Sequence, residues 1–428
     1  MEIAEAVKEQ LEELELEPLP GNGAIDCGAE EEMFRRVGQQ AAGELMAERF
    51  AEGDMAVIKQ CAGCGQTMKP LGRRRKLLQT VCGPIEVARR VYYCRECGQT
   101  EVPLDKRLGI ERSGITPGLR RLVCRTALEL AYQQSARLLS DTLGFSPCTG
   151  RDIERISKAH GKQIEELQAG YEMASGVEES KRRRQPVYCL AIDAVMIPGL
   201  PDAEKHCLKW HDVKLAVGYD VREIESPFYV AGRENAEEFG RRLWNQLQSR
   251  EMDESSFRLV LGDGASWIWN LVELQLPGVP QLLDFYHAAE HLYATAESLW
   301  PKEKASRWWQ RRLAQLKQGE MSNFFTVLRR LARSQANSEG ETSPHRLLRY
   351  FLENEDRLNY RWALESKLPI GSGAVESAAR HIVQQRLKQS GMRWSDAGAQ
   401  SILNLRTLHR NGEFEQYWET VSTLSACA

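Results

Sequence analysis

Carboxylates placed within or against apolar runs are the feature that most constrains the fold of this chain. Asp193 lies inside the apolar run 187–197, and Asp263 ends a second run that begins at residue 257. Glu376 opens a helical stretch just after a glycine-rich turn. A carboxylate in a buried strand is costly unless a cation or hydrogen bonds neutralise it. Two strands and a helix that present acids therefore predict a two-metal site, with magnesium or manganese favoured by oxygen ligands.

Each acid also has a simpler explanation. An Asp before Gly at the end of a strand is often only a turn residue. A Glu in the first turn of a helix often only interacts with the helix dipole. Asp193 is the strongest candidate, because apolar residues flank it on both sides, whereas Asp212, Asp220 and Glu223 remain competing acids.

Length and composition indicate a multi-domain protein. A chain of 428 residues exceeds what one core usually serves, so two to four domains are expected. No apolar run approaches the roughly 20 residues of a membrane helix, and the acidic start lacks the order of a signal peptide. These patterns predict a cytoplasmic protein, nucleoid-associated if it binds DNA, with no membrane partner. The formal net charge of −3 does not argue against DNA binding, because local basic patches decide it.

Four of the eleven cysteines form two Cys-x-x-Cys-Gly pairs, which are Cys61, Cys64, Cys94 and Cys97. Such pairs supply the thiolates of a structural zinc site, and the glycine lets backbone amides point at the sulfurs. Between the pairs, residues 76–82 and 85–93 read as the two strands of a hairpin, which predicts a zinc ribbon. A redox dithiol or a chance pattern is the alternative. Basic residues on the hairpin suggest phosphate contacts, although a solvated charged face is the default.

Residues 135–156 have the layout of a helix-turn-helix. Gly144 permits a tight turn, and Thr149 is a candidate cap for a second helix that carries Arg151 and Arg155. The interpretation predicts that these arginines contact DNA. An ordinary antiparallel helix pair would show the same pattern.

The element pattern changes at residue 187. Strand-like runs cover 187–197, 206–219 and 226–232, followed by alternating helix and strand up to residue 284. Three strands and then this alternation are the element order of an RNase H-like α/β domain. Residues 285–364 show helical patterns only, which predicts an all-helical insertion before the helix that bears Glu376.

These observations predict a multi-domain α+β protein, in which a zinc ribbon and a helical DNA-binding region precede an RNase H-like domain with an all-helical insertion. The predicted segments are a helical arm (1–57), the ribbon (58–104), a helix-turn-helix region with a basic linker (105–184), the first part of the catalytic core (185–284), the insertion (285–364) and the C-terminal core helices (365–420).

Two further groups of residues are candidate DNA contacts. His287 and His291 are one helical turn apart, a spacing that can bind zinc but more often packs or touches phosphate. Cations and an aromatic residue close to the Glu376 helix suit phosphate contacts and base stacking. The members of this second group are Arg380, Arg386, Lys388, Arg393 and Trp394, of which the tryptophan is equally plausible as a core anchor.

Several long motifs resemble bacterial insertion-sequence transposases of the DDE type, in particular the ISKra-like family. The similarity covers roughly residues 58–418, excludes the N-terminal arm, and is carried by the segments 262–270, 283–292, 371–377, 386–394 and 399–406. It implies an RNase H-like fold whose three acids are Asp193, Asp263 and Glu376. Asp284 and His287 are similar to an Asp-x-x-His motif of Mutator-type enzymes.

The resemblance implies a transposase that cleaves and joins double-stranded DNA at terminal inverted repeats and inserts it into target DNA. Catalysis would use Mg²⁺ or Mn²⁺, with Zn²⁺ in a structural role. Joining two ends needs two active sites, which predicts a homodimer or higher oligomer. A structure-selective nuclease on the same fold and a catalytically decayed, zinc-dependent DNA-binding protein are the alternatives.

Overall fold

The computed structural model describes residues 25–110, 113–169, 188–201, 208–222, 227–334 and 342–427. Glu223, the first 24 residues of the predicted arm and the basic linker that ends at residue 184 lie outside these ranges. The chain is mixed α+β and predominantly helical. It forms two compact units, one of residues 1–160 with 413–428 and the other of residues 161–412. No helix in the described ranges is long and apolar enough to cross a bilayer.

The first unit is built around an antiparallel hairpin with a helix packed on it. Its elements before residue 170 are α1 (Cys27–Glu52), β1 (Lys69–Thr80), β2 (Gly83–Tyr93), β3 (Thr100–Glu101), α2 (Pro103–Arg107), α3 (Pro117–Ala127), α4 (Tyr132–Leu143) and α5 (Gly150–Ala169), the last of which continues into the second unit. Thr80 pairs with Gly83, so the strands are joined by a two-residue turn and are longer than the sequence predicted. Leu78, Ile85 and Val87 form the hairpin's core.

Most of the basic residues on the hairpin pair with two buried acids. Asp54 lies 3.2 Å from Arg73 and also pairs with Arg90. Asp105 lies 2.6 Å from Arg89 and also pairs with Lys76. Four of the seven lysines and arginines in β1 and β2 therefore pair with these two acids. These cations therefore neutralise acids inside the unit, and the basic character of the sequence overstates the charge that the ribbon presents to phosphates.

The second unit contains a five-stranded sheet. Its first elements are β4 (Tyr188–Pro201), β5 (Leu208–Asp220), β6 (Phe228–Gly232), α6 (Ala236–Gln248), β7 (Phe257–Gly262), α7 (Ser266–Gln275) and β8 (Gln281–Leu283). The strand order is β6-β5-β4-β7-β8. The pairs β4–β5 and β5–β6 are antiparallel, whereas β4–β7 and β7–β8 are parallel. The parallel pairing of these three strands stops at Ile192, Gly262 and Leu283, and β4 alone runs on, to Pro201.

The described chain between β8 and Glu376 contains helices and short 3₁₀ turns but no strand. The helices are α8 (Phe285–Leu299), α9 (Lys302–Gln318), α10 (Met321–Arg333), α11 (Ser343–Glu353) and α12 (Tyr360–Glu365). Each of the longer ones buries an apolar stripe, as in α10, where Phe324, Leu328 and Ala332 face inward at helical spacing. This block therefore has a core of its own.

The last helices return to the sheet and then to the first unit. They are α13 (Gly373–Ala378), a π-helical segment (Ala379–Gln384), α14 (Gln385–Leu387), α15 (Asp396–Arg410) and α16 (Phe414–Cys427). The apolar residues Val375, Ala378 and Ile382 are buried. The π-helical segment shifts the register, so Val383 and Leu387, which an unbroken α-helix would align with Glu376, are buried as well.

Candidate functional site

Three aspartates follow the points where the parallel pairing of β4, β7 and β8 stops. Ile192 of β4 pairs with Gly262 of β7, and Gly262 pairs in turn with Leu283 of β8. The next residue after each of these is an aspartate, and together we call Asp193, Asp263 and Asp284 the acidic edge. Ligands bind at this position in open α/β sheets.

The Asp193 carboxylate is half-buried and close to other acids. Its Oδ1 accepts a hydrogen bond from the Ala194 amide at 2.7 Å. Burial raises the pKa of the Asp193 carboxyl, and the negative charges of Asp263 and Asp284 add to the rise, whereas the Ala194 amide and His287 oppose it. The Asp193 carboxylate therefore lies within electrostatic range of both other acids and of one of the predicted histidines.

The Asp263 carboxylate is held by the turn that follows its strand. Its Oδ1 accepts from the Ala265 amide at 2.9 Å, and Gly264 between them has a φ of +103°, which strongly favours glycine. The Tyr350 hydroxyl donates to the Asp263 carbonyl oxygen at 3.0 Å. Among the described residues, no lysine or arginine forms an ion pair with Asp193 or Asp263. Two half-buried carboxylates thus share an edge without a cationic side chain.

Asp284 is fully buried and joins distant parts of the unit. Its Oδ1 accepts from the His287 amide at 2.6 Å, which caps α8, and its Oδ2 accepts from the Ser372 amide. The Phe285 amide donates to the carbonyl of Ile370 at 2.9 Å beside this contact. Asp284 thereby fastens the end of β8 to the turn that opens α13. The sequence pointed to Asp284 only through its motif, although Asp before a helix is a recognisable cap.

Glu376 lies in the first turn of α13, and its side chain is exposed. Helix α13 packs against β4 and β5, so it carries Glu376 over the strand that holds Asp193. Within the described chain, only the cysteine cluster brings three or more potential ligand atoms within 4.8 Å of one another. The three predicted acids therefore share a region without converging as closely as the cysteines do.

The competing acids have other roles where the structure describes them. Asp212 forms a 2.5 Å ion pair with Lys214. Asp220 pairs with Tyr188 at the first residue of β4, which is the opposite end of the sheet from the acidic edge, and accepts from the Arg222 amide at 2.9 Å. Neither belongs to the acidic edge.

The two histidines of α8 lie beside the acidic edge. His291 stacks on Tyr350 with ring centroids 4.2 Å apart. Burial lowers the pKa of His291 and the charge of His287 lowers it further, while Glu290 and Asp263 oppose this. The charge of His287 lowers the pKa of the Asp193 carboxyl. Both histidines thus lie within electrostatic range of the acidic edge.

Two of the predicted DNA contacts are core residues, which corrects the interpretation of Arg386 and selects the core-anchor alternative for Trp394. Arg386 is completely buried, and its guanidinium lies 4.9 Å from the ring centroid of Trp394. Trp394 is 5% exposed, and its Nε1 donates to the Leu387 carbonyl at 2.9 Å. Its backbone pairs with β4 beside Gly199. A tryptophan that is buried to this extent cannot stack on a base.

The other predicted DNA contacts remain at the surface; the exposed cations are Arg151, Arg155, Arg380, Lys388 and Arg393. In the predicted helix-turn-helix, α4 ends at Gly144 with a φ of +74°. Thr149 and Asp152 cap α5 reciprocally, as the sequence predicted for Thr149.

The four predicted zinc ligands come together in the first unit. The Sγ atoms of Cys61 and Cys97 are 3.3 Å apart, those of Cys64 and Cys94 are 3.4 Å apart, and all four lie within 4.8 Å of one another. A tetrahedral zinc with about 2.3 Å bonds needs sulfurs about 3.8 Å apart.

The backbone around the sulfurs also fits a metal. The Gly65 amide donates to the Cys61 carbonyl, and the Gly98 amide donates to the Cys94 carbonyl, so both turns have the same form. Amides of Gly63 and Cys64 point at the Cys61 sulfur, and the Gln99 amide points at the Cys97 sulfur. The cluster could therefore bind zinc, and the predicted grouping of these cysteines is confirmed.

We expect Asp284→Ala to lower the free energy of unfolding by about 2–6 kcal/mol, because it removes the acceptor of the buried Ser372 amide and of the half-buried His287 amide, at about 1–3 kcal/mol each. Urea unfolding measures the change. The matched control is Asp253→Ala, which removes an exposed carboxylate that also accepts from a backbone amide and should cost about 0.5–2 kcal/mol. Equal effects of the two variants would contradict the role of Asp284 as a buried fastening.

Comparisons with known proteins place the chain in a protein family. A family model described as "Uncharacterised protein family (UPF0236)" matches residues 32–422. A UPF0236 protein of Caldanaerobacter subterraneus subsp. tengcongensis is 25% identical over 349 residues, which are 79% of this chain and 68% of the relative. The name of that relative joins eleven locus designations.

A solved structure, the Drosophila P element transposase strand transfer complex, is similar at a TM-score of 0.34 and 9% identity. The match covers 68% of this chain and 92% of that one. Similarity at this level carries no argument about the chain.

Proposed function

We propose that this chain, which belongs to the UPF0236 family, is a DDE-type transposase of the kind found in ISKra-like insertion sequences. In this proposal the second unit is an RNase H-like catalytic domain that cleaves and joins DNA at the ends of its own element. The strand order β6-β5-β4-β7-β8, with the last three strands parallel, supports the assignment of the fold.

The observation that carries the proposal is the pair of carboxylates at the acidic edge. Asp193 and Asp263 are half-buried neighbours, and no described cationic side chain neutralises either of them. Like charges side by side in a protein interior are unfavourable unless a cation is bound or one group takes up a proton. An oxygen-only ligand set favours Mg²⁺ or Mn²⁺ among the possible cations.

In the proposed site, Asp193 and Asp263 would hold the divalent ions, and Glu376 would complete the ligand set from α13. The bound ions would stabilise the attacking and leaving oxygens of a phosphodiester during in-line displacement. Asp284 fixes the turn that precedes Glu376 and so positions that carboxylate. His287 and His291, beside the two aspartates, would contact the phosphate oxygens of the strand being cut.

The exposed cations of both units are the proposed means of holding DNA. Arg151 and Arg155 would contact the duplex from α5 in a helix-turn-helix, and the zinc ribbon would support that surface. Arg380, Lys388 and Arg393 would contact the strand near the acidic edge. Joining two ends in one reaction requires two active sites, so we propose a homodimer or higher oligomer on DNA.

The relative from Caldanaerobacter supports a mobile gene. A name that joins eleven locus designations suits a gene carried in many copies by one genome, which is what an element that multiplies by transposition produces. A housekeeping nuclease or a single regulator gives no reason for that number of copies.

An assay with labelled DNA tests the proposal. The full chain is incubated with Mg²⁺ and a duplex that carries the inverted repeats flanking its gene, and with a duplex of scrambled ends. We expect nicking at the repeat boundary and joining of the freed 3′ end to a second DNA, with neither product from the scrambled duplex. Cutting that ignores the ends would instead identify a structure-selective nuclease, and binding without cutting a decayed DNA-binding protein.

A further inference from the structure

Helices α9 and α10 carry an excess of positive charge that the whole chain does not have. Residues 302–333 contain nine lysines and arginines but only two acids, Glu303 and Glu320, which gives a formal charge of +7. The complete chain has a formal charge of −3. A local patch of this kind, within an acidic chain, is the electrostatic pattern of a surface that meets a polyanion.

Three of these cations form a row on one face of α9. Lys304, Arg307 and Arg311 follow one another at intervals of three and four residues, so they lie on the same side of the helix. The opposite side buries Ala305, Arg312 and Leu316 against the rest of the unit. All three members of this cationic row are exposed. The packing of α9 therefore turns the row toward solvent.

The cationic row is not used to neutralise acids. Within the described part of the chain, none of its members forms an ion pair with Asp or Glu. Lys304 lies 5.1 Å from the ring centroid of Trp300, and the Nε of Arg307 reaches the Glu303 carbonyl at 3.4 Å. The hairpin cations of the first unit, by contrast, are mostly bound to Asp54 and Asp105. The charge of the row is thus available to a ligand.

The C-terminal end of α9 lies near the acidic edge. Lys317, in the last turn of α9, lies 4.7 Å from the ring centroid of Phe285, which directly follows Asp284. Helix α9 packs along α8, where Trp309 donates to the Ala289 carbonyl at 2.9 Å. At 1.5 Å per residue, Arg311 lies about 9 Å and Lys304 about 20 Å along the axis from Lys317. The row therefore extends along α9 from Arg311, nearer the acidic edge, to Lys304, farther from it.

We propose that the cationic row of α9 binds the phosphates of the duplex DNA that leads into the acidic edge. The row is about 10 Å long, from seven residues at 1.5 Å each. Phosphates of one DNA strand recur about every 3.4 Å along the axis, so the row spans about three of them. Exposed long cations without acid partners bind any sequence, so the contact positions the duplex without reading bases. This inference rests on the proposed function.

The test removes the row and compares it with an equal loss of charge elsewhere. The variant is K304Q/R307Q/R311Q, and the control is R36Q/K162Q/R361Q, whose three exposed cations each pair with a glutamate on their own helix. Glutamine preserves helix propensity, and circular dichroism verifies the fold. Binding of a fluorescent 30-base-pair duplex is followed by anisotropy between 50 and 300 mM salt.

We expect the row variant to bind at least about tenfold more weakly at the lowest salt concentration. The slope of log affinity against log salt should fall by up to about 2.7, at roughly 0.9 for each lost phosphate contact. The control should keep both values close to those of the full chain. The charge-preserving variant R307K/R311K should also bind normally, and a loss of binding in it would overturn the electrostatic contact.

The outcomes separate this inference from the proposed function. If the unaltered chain cuts its ends but the row variant and the control have the same affinity and slope, the inference about α9 is wrong and the proposed function stands. If the unaltered chain binds no DNA, both are wrong. If the row variant alone loses affinity while the chain cuts nothing, the row is a DNA contact of a protein without the proposed activity.

Discussion

Replacement of Asp193 by Asn is expected to reduce metal-dependent DNA cleavage about 10²–10³-fold, the loss typical of removing one charge-stabilising group from an active site. The substitution keeps the shape of the side chain but removes the negative charge that a divalent ion requires. Because Asp193 is half-buried beside two other acids, losing its charge also relieves repulsion, so the variant should be no less stable than the unaltered protein. The rate of strand nicking at the element ends is the measurement.

Asp220→Asn is the matched control for this substitution. Asp220 lies on the strand next to Asp193 but at the opposite end of the sheet, and it was a competing candidate in the sequence. We expect it to change nicking less than about threefold. DNA affinity should stay within about twofold in both variants, because neither carboxylate belongs to the proposed phosphate-binding surface. Comparable nicking by the two variants would falsify the assignment of Asp193 to the catalytic site.

Cys61→Ser is expected to abolish stoichiometric zinc binding and to unfold the ribbon. Apparent binding energies of structural zinc sites reach about 10–16 kcal/mol in small domains, which exceeds the stability of a short hairpin. The two knuckles hold the ends of β1 and β2 together, and beyond them the hairpin depends on a small core around Leu78 and Ile85. The measurements are zinc content by elemental analysis and thermal unfolding with and without a chelator.

Cys82→Ser provides the comparison, because Cys82 lies at the hairpin turn and outside the cluster. This variant should bind one zinc per chain and melt within a few degrees of the unaltered protein. A Cys61→Ser protein that retains its zinc and melts at the same temperature would show that the cysteines are not a structural metal site.

The features that were predictable from the sequence depend on short spacings and on element order. The four cysteines follow a fixed local pattern, and the turns of the two pairs have the same hydrogen bonds. Asp193 and Asp263 were singled out by their apolar surroundings, and the register of β4 and β7 places them side by side. In both cases neighbouring residues carry the information.

What could not be predicted depends on packing between distant segments. Arg386 was predicted to contact DNA, and the sequence left Trp394 open between base stacking and a place in the core. A π-helical segment shifts the register and the Trp394 backbone pairs with β4, so both are buried. The role of Asp284 depends on Ser372, 88 positions away. The residues around each position do not predict such contacts, because the partner comes from a distant part of the sequence.

The contacts at Asp284 have a consequence for how this protein can vary. The helical block enters the fold at Phe285 and leaves it at Ile370, and a backbone hydrogen bond of 2.9 Å joins these two points. The first and last residues of the helical block are therefore adjacent in the structure. Helices within the block can be lengthened, shortened or exchanged while the carboxylates before and after it keep their spacing. Substrate binding by the block can therefore change in evolution without a change in the catalytic residues.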